Sequence, residues 1–112
     1  DGIAPWVPLG PVTIQVDATT PGQPTELMPG GARSITWRNP AGGFYSIRVY
    51  RGTTNVLANA SLVGTVTGGA SGQISEYRDD AATAGTYFYW VRAANVSGIE
   101  SPATGPAEII IA

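Results

Sequence analysis

Short runs in which apolar and polar residues alternate, each closed by glycine or proline, constrain this chain more than any other feature. Alternation at period two sends successive side chains to opposite faces of a strand, so that one face is buried and the other meets water. Ile35 and Trp37 alternate with Ser34 and Thr36 over residues 33–38, and Asn39-Pro40-Ala41-Gly42-Gly43 then turns the chain. Tyr45, Ile47 and Val49 alternate with Ser46, Arg48 and Tyr50. Comparable runs at 25–28, 62–66, 74–78, 86–95 and 107–111 bring the number to seven. The 15 glycines and 9 prolines supply the turns between them, and no apolar stripe of helical period interrupts the pattern. Seven short strands at this spacing predict an all-β, antiparallel two-layer sandwich over residues 24–112. Its core is expected from the inward phase of each run: Trp37, Tyr45, Ile47, Val49, Val66, Tyr77, Tyr87, Tyr89, Val91 and Ile109.

Residues 1–23 read differently. Pro5, Pro8, Pro11 and Pro21 keep this stretch extended and deny it a continuous ladder of hydrogen bonds. Within it, Val12, Ile14 and Val16 alternate with Thr13 and Gln15 and predict one short strand in an otherwise extended arm. Trp6, with Val7 and Leu9 close by, gains little in water unless the ring is buried. Three readings stand: the arm folds back on its own domain, it docks on a neighbouring subunit or larger assembly by adding residues 12–16 to a sheet edge, or it is a linker. The opening Asp1 suggests a chain that has lost its first residues or was cut from a longer one, and no signal-peptide pattern opens it.

Composition excludes much of enzymology. The chain has no histidine and no cysteine, which removes the usual general base, thiolate metal sites and a thiol nucleophile. Its six basic residues are all arginine and its net charge is −2, so the electrostatic footprint of a nucleic-acid binder is missing. No apolar stretch is long enough to span a bilayer as a helix. No catalytic residue, cofactor or metal is expected. Asp79-Asp80 is the one adjacent acidic pair, and neighbours in sequence do not face each other across a substrate. Turn chemistry is the leading reading of that pair, with calcium binding and catalysis behind it.

Several of these runs resemble the fibronectin type III family. Trp37 with Pro40 after it is similar to the family's W-x-x-P feature, and Tyr45-x-Ile47-x-Val49-x-Arg51 to its third strand. Gly85-Thr86-Tyr87-x-x-x-Val91-x-Ala93-x-Asn95 resembles the sixth strand, and Ser97-Gly98-x-Glu100-Ser101 the turn into the last. The resemblance covers about residues 24–111 and implies an immunoglobulin-like sandwich whose Tyr87 bonds back to the preceding turn. One departure stands out: Ala81-Ala82-Thr83-Ala84 replaces the Leu and Pro that usually precede that corner tyrosine. In style the chain is similar to bacterial and bacteriophage members. This implies a non-catalytic structural or adhesive module, foremost a virion component in head, tail or fibre, held by its arm and exposed on the virion surface. The alternative is a spacer or carbohydrate-contacting module from a secreted bacterial glycosidase or adhesin. The implied partners are other virion or assembly proteins, the chain itself, or a cell-surface polysaccharide.

A fold of this kind is a scaffold, so contact residues need their own argument. Phe88 and Trp90 lie on the outward phase of their strand, with Arg48 and Tyr50 on the expected neighbour and Arg92 continuing the row. Aromatic and arginine side chains dominate interface energetics, so this row is a candidate contact patch. The competing reading is a cross-strand stack of rings and guanidinium groups covered by the arm or by prolines of the last strand. Trp6, Val7, Leu9, Val12, Ile14 and Val16 are the candidates in the arm. Asn59-Ala60-Ser61 and Asn95-Val96-Ser97 match a glycan acceptor pattern and read first as turns.

Overall fold

The structure, a computed structural model, describes residues 19–112 of the chain. The expected strand at 12–16 and the side chains of Trp6, Val7 and Leu9 lie outside the described residues.

Within them the fold is all-β. The strands are β1 (Thr25–Pro29), β2 (Ser34–Arg38), β3 (Ser46–Gly52), β4 (Ser61–Thr67), β5 (Ile74–Arg78), β6 (Gly85–Ala94) and β7 (Thr104–Ile111), with a 3-10 turn at Leu57–Asn59. They form two antiparallel sheets, one of three strands in the order β1-β2-β5 and one of four in the order β4-β3-β6-β7.

The inward phase of each run builds the core. Trp37, Ile47, Val49, Tyr89 and Val91 are fully buried, and Ile35 and Ile109 nearly so. Val66, Tyr77 and Tyr87 are partly buried against this cluster. Burying a large apolar side chain contributes roughly 1.5–3 kcal/mol, so these few positions supply most of what offsets the entropy of ordering the chain. The indole N–H of Trp37 donates to Asn39 Oδ1 at 2.8 Å. Asn39 in turn donates to the Ala70 carbonyl at 3.0 Å and to Ser75 Oγ at 2.8 Å. The polar edge of the largest core ring is thereby satisfied, as a buried donor requires.

Tyr45 departs from expectation. It is 52% exposed, not part of the core. The apolar alternation reaches one residue past the strand, which begins only at Ser46. Its backbone still joins the sheet's end, donating to the Ala94 carbonyl at 2.8 Å and accepting from Gly68 N–H at 3.1 Å. The last strand also begins earlier than residue 107. Register shifts between Tyr89 and Val91, and this irregularity lets pairing run past Pro106 to Thr104. Gly105 makes this possible, with φ of 135° and a backbone so close that a Cβ there would lie 2.6 Å from the Tyr89 carbonyl oxygen.

Two seams hold the sheets together at their sides. On one, Tyr77 of β5 lies across Gly64 of β4, where a Cβ would come within 2.3 Å of the ring. The Tyr77 hydroxyl donates to the Val63 carbonyl at 3.0 Å. On the other, the segment leading into β1 runs beside the start of β7. Gln23 Nε2 donates to the Ala103 carbonyl at 2.9 Å, Thr104 Oγ1 to the Pro24 carbonyl, and Pro21 and Pro24 are buried. Residues 19–23, the last of the arm read from sequence, thus lie against the sandwich.

Candidate functional site

Chemically distinctive side chains gather in three places: at one end of the core, on the outer face of the four-stranded sheet, and in a groove at the opposite end.

Asp79 follows the last residue of β5 and is buried. Its backbone does make a turn, with its N–H on the Arg33 carbonyl at 2.8 Å and its own carbonyl accepting from Ala82 N–H at 3.3 Å. Its side chain does something the sequence did not reveal. Oδ2 accepts from Arg51 Nη1 at 2.6 Å and from the Tyr89 hydroxyl at 2.8 Å. Arg51 lies on the inward phase at the end of β3, and its guanidinium stands 5.2 Å from the centre of the Tyr87 ring. Tyr87 and Tyr89 are tilted against each other with ring centres 6.5 Å apart. Burial, reinforced by the bond to Asp79, pushes the Tyr89 hydroxyl far above its ordinary range. The corner is therefore divided between two tyrosines. Tyr87 reaches the turn through Thr83, the two hydroxyl oxygens 3.2 Å apart near solvent, while Tyr89 makes the buried bond. Asp80 points to solvent and accepts from Arg78 Nε at 2.5 Å. Among the described residues no three carboxylate side chains gather to hold a metal ion.

On the outer face of the four-stranded sheet, Arg48 pairs with Arg92, Tyr50 with Trp90, and Gly52 with Phe88. Two arginines directly across from one another repel unless an anion lies between them. Glu100, next to the short connection after β6, supplies it: Oε2 lies 3.2 Å from Arg48 Nη1 and Oε1 3.5 Å from Arg92 Nη1. The Tyr50 hydroxyl also donates to Oε2. Burial and then this bond raise the Tyr50 pKa. The candidate row is thus brought together, with one correction. Trp90 is only 4% exposed and is not available to a partner. Tyr50 stands across from it, and the irregularity in β7 brings Gly105 so close that a Cβ there would sit 3.0 Å from the indole Cδ1. Arg48, Tyr50 and Phe88 remain half-buried.

The groove lies where the described chain begins. Thr19, Gly43, Phe44, Tyr45, Asn95 and Val96 line about 440 Å³ of open space. Tyr45 and Val96, 52% and 67% exposed, form its rim. Asn95 Nδ2 donates to the Thr19 carbonyl at 2.7 Å, and its Oδ1 accepts from the N–H groups of Ser97 and Ile99. These bonds make Asn95 the organiser of the β6–β7 turn, while Asn59 is exposed on the 3-10 turn.

Of the sequence candidates, Trp6, Val7, Leu9, Val12, Ile14 and Val16 lie outside the described residues. Asp79 as a buried acceptor and Glu100 as a bridge were missed. The spacing of Arg48 and Arg92 on facing outward positions was the available signal for a counter-charge. No protein-family model matches the sequence, and neither does any curated protein.

Proposed function

We propose that this chain is a fibronectin type III module that works by contact and not by catalysis, as a structural component of a bacteriophage-like particle. In this reading it decorates a head, tail or fibre, with the arm as anchor and the sandwich projecting outward. The strand orders β1-β2-β5 and β4-β3-β6-β7 and the buried Trp37 support the family assignment. The style of the β6 region and the proline-rich apolar arm support the particle.

One observation carries the contact reading: where the charge goes. All six arginines have an oxygen partner within the chain, some pairs buried and some on the surface. Arg38 meets Glu26, Arg48 and Arg92 meet Glu100, Arg51 meets Asp79, Arg78 meets Asp80, and Arg33 donates to the Ala82 carbonyl. These groups tie strands and turns together, an arrangement suited to a rigid display element.

The test is gold-labelled antibody to the sandwich, applied to particles released by the producing strain. Regular label on the particles is expected, and its loss in a variant lacking residues 1–20 would locate the anchor. Recovery of the protein only as a free secreted chain would overturn the particle reading and favour the carbohydrate-contacting alternative.

A further inference from the structure

We infer that the free edge of β5 is a self-association surface, at which β5 of a second copy of this chain adds antiparallel, with Glu76 of each copy opposite Arg78 of the other. The inference does not depend on the particle reading, since it concerns one edge of the sandwich alone.

The hydrogen-bond phase of β5 shows which groups lie open. At its two ends, Asp79 N–H donates to the Arg33 carbonyl and the Gln73 carbonyl accepts from Asn39 N–H, both at 2.8 Å. Backbone groups alternate sides along a strand, so residues 73, 75, 77 and 79 turn theirs toward β2. Ile74, Glu76 and Arg78 turn their N–H and C=O groups the other way, where no strand among the described residues pairs with them. Such a row is a template for another strand. The other three sheet edges are interrupted. The pairings of β1, β4 and β7 each contain a register shift, and β1 ends in Pro29 while β7 contains Pro106. β5 pairs with β2 in unbroken register and contains neither glycine nor proline.

Charge selects the occupant and its register. Glu76 and Arg78 are both exposed on the outward face of β5. A second β5 running antiparallel about a two-fold axis at Tyr77 sets Glu76 opposite Arg78 twice, at positions whose backbone groups face each other across the pair. Opposite charges directly across a ladder attract and like charges repel. Moving the axis to Glu76 sets two carboxylates against each other, and moving it to Ser75 leaves both charges unmatched. Among the described residues Glu76 makes no ion pair, and Arg78 meets Asp80, an exposed neighbour two residues on. The Tyr77 ring turns inward over Gly64, which keeps its bulk away from the axis. The edge of β4 beneath it carries no charge from Ser61 to Thr67 to repel the second copy. Five residues a side fall short of a standard interface, so the pair forms at high concentration or where copies are held close together.

Sedimentation equilibrium of the full chain at up to about 1 mM reads the association. The parent is expected to dimerise. Glu76→Arg and Arg78→Glu are each expected to raise the dimer dissociation constant at least tenfold. The chain carrying both substitutions is expected to recover it, and an equal mixture of the two single variants to form a heterodimer. A parent that stays monomeric, single variants that dimerise like the parent, or a double variant that fails to recover would overturn the inference. Amide exchange locates the surface. The amides of Glu76 and Arg78 are expected to slow at least tenfold from dilute to concentrated solution, while those of Ser75 and Tyr77, turned toward β2, stay slow throughout. Slow exchange of Glu76 and Arg78 already in dilute solution would give the edge to another segment of the same chain, and the second copy would be ruled out.

Discussion

Asp79 and Glu100 have nearly the same partners and opposite surroundings. Each carboxylate accepts from a tyrosine and pairs with arginine: Asp79 with Tyr89 and Arg51, Glu100 with Tyr50, Arg48 and Arg92. The Asp79 side chain is 3% exposed and closes one end of the core, whereas that of Glu100 is 22% exposed on the outside of a sheet. The chemistry is shared, so any difference in what the two clusters do must come from water. In a dry site a lone charge is costly and a complete set of partners is needed; on a wet face, solvent and salt substitute for a missing partner.

The largest expected effect follows from removing the buried acceptor. Asp79→Ala strands the Arg51 guanidinium and the Tyr89 hydroxyl at the end of the core. Breaking a buried pair from one side costs roughly 3–5 kcal/mol, and because Arg51 keeps some access to water the lower end applies, about 3 kcal/mol. Urea denaturation of Asp79→Ala against the parent measures it. A loss no greater than that of a surface substitution would erase the contrast between the two carboxylates.

The alkaline limb of stability sharpens the same contrast. The Tyr89 hydroxyl has a raised pKa in the folded protein, first through burial and then through its bond to Asp79. From about pH 10, the unfolded chain releases this proton while the folded one keeps it. The unfolded state is then favoured, so the contribution of Tyr89 is fully present below pH 10 and is lost as pH rises above it. The slope approaches about 1.4 kcal/mol per pH unit for one such group. Tyr50 shifts in the same direction. Tyr89→Phe is expected to flatten the loss above pH 10 more than Tyr50→Phe does, as read from denaturation midpoints between pH 8 and 11. Identical curves for the two variants would mean that burial does not separate the clusters.

How much of this was legible in the sequence depends on the range of the interaction. Trp37, Ile47, Val49 and Val91 are buried because a local period of two, set by backbone geometry, placed them inward. Periodicity says nothing about where a strand starts, and Tyr45 fell just outside. It also says nothing about what lies above an outward residue, so the burial of Trp90 by a displaced neighbouring strand was hidden. The clusters were less visible still. Asp79 and Arg51 are 28 residues apart, and Glu100 and Arg48 are 52 apart. Such pairs are set by sheet register and by the course of turns, neither of which leaves a local mark. The contact candidates in the arm concern residues 1–18, beyond those described.

Salt distinguishes the clusters at a smaller scale. Glu100→Gln leaves Arg48 and Arg92 facing each other across β3 and β6 with only a neutral amide between them, a change of about 1 kcal/mol for a partly exposed site. At 1 M salt the screening length falls to about 3 Å, so most of that loss is expected to disappear. More of the Asp79→Ala loss is expected to persist at the same salt concentration, because a largely buried pair is screened much less than a partly exposed one. Denaturation of both variants at 0.05 and 1 M sodium chloride makes the comparison, and equal salt sensitivity would show that water does not divide them.

The smallest effect belongs to Asp80, and its size bears on the whole contrast. Asp80 is next to Asp79 in sequence and also pairs with an arginine, yet its side chain is 73% exposed and that of Arg78 61%. Exposed pairs contribute roughly 0–1 kcal/mol, because holding two flexible chains in one geometry offsets a weak, screened attraction. Asp80→Ala is therefore expected to change stability by less than about 0.5 kcal/mol, several-fold less than the same substitution one residue earlier. The two variants share residue type and turn and stand one residue apart, so the main difference between them is which way the side chain points. If they lose the same stability, the damage comes from the turn's backbone, and the buried bonds to Arg51 and Tyr89 are not what holds that end of the sandwich.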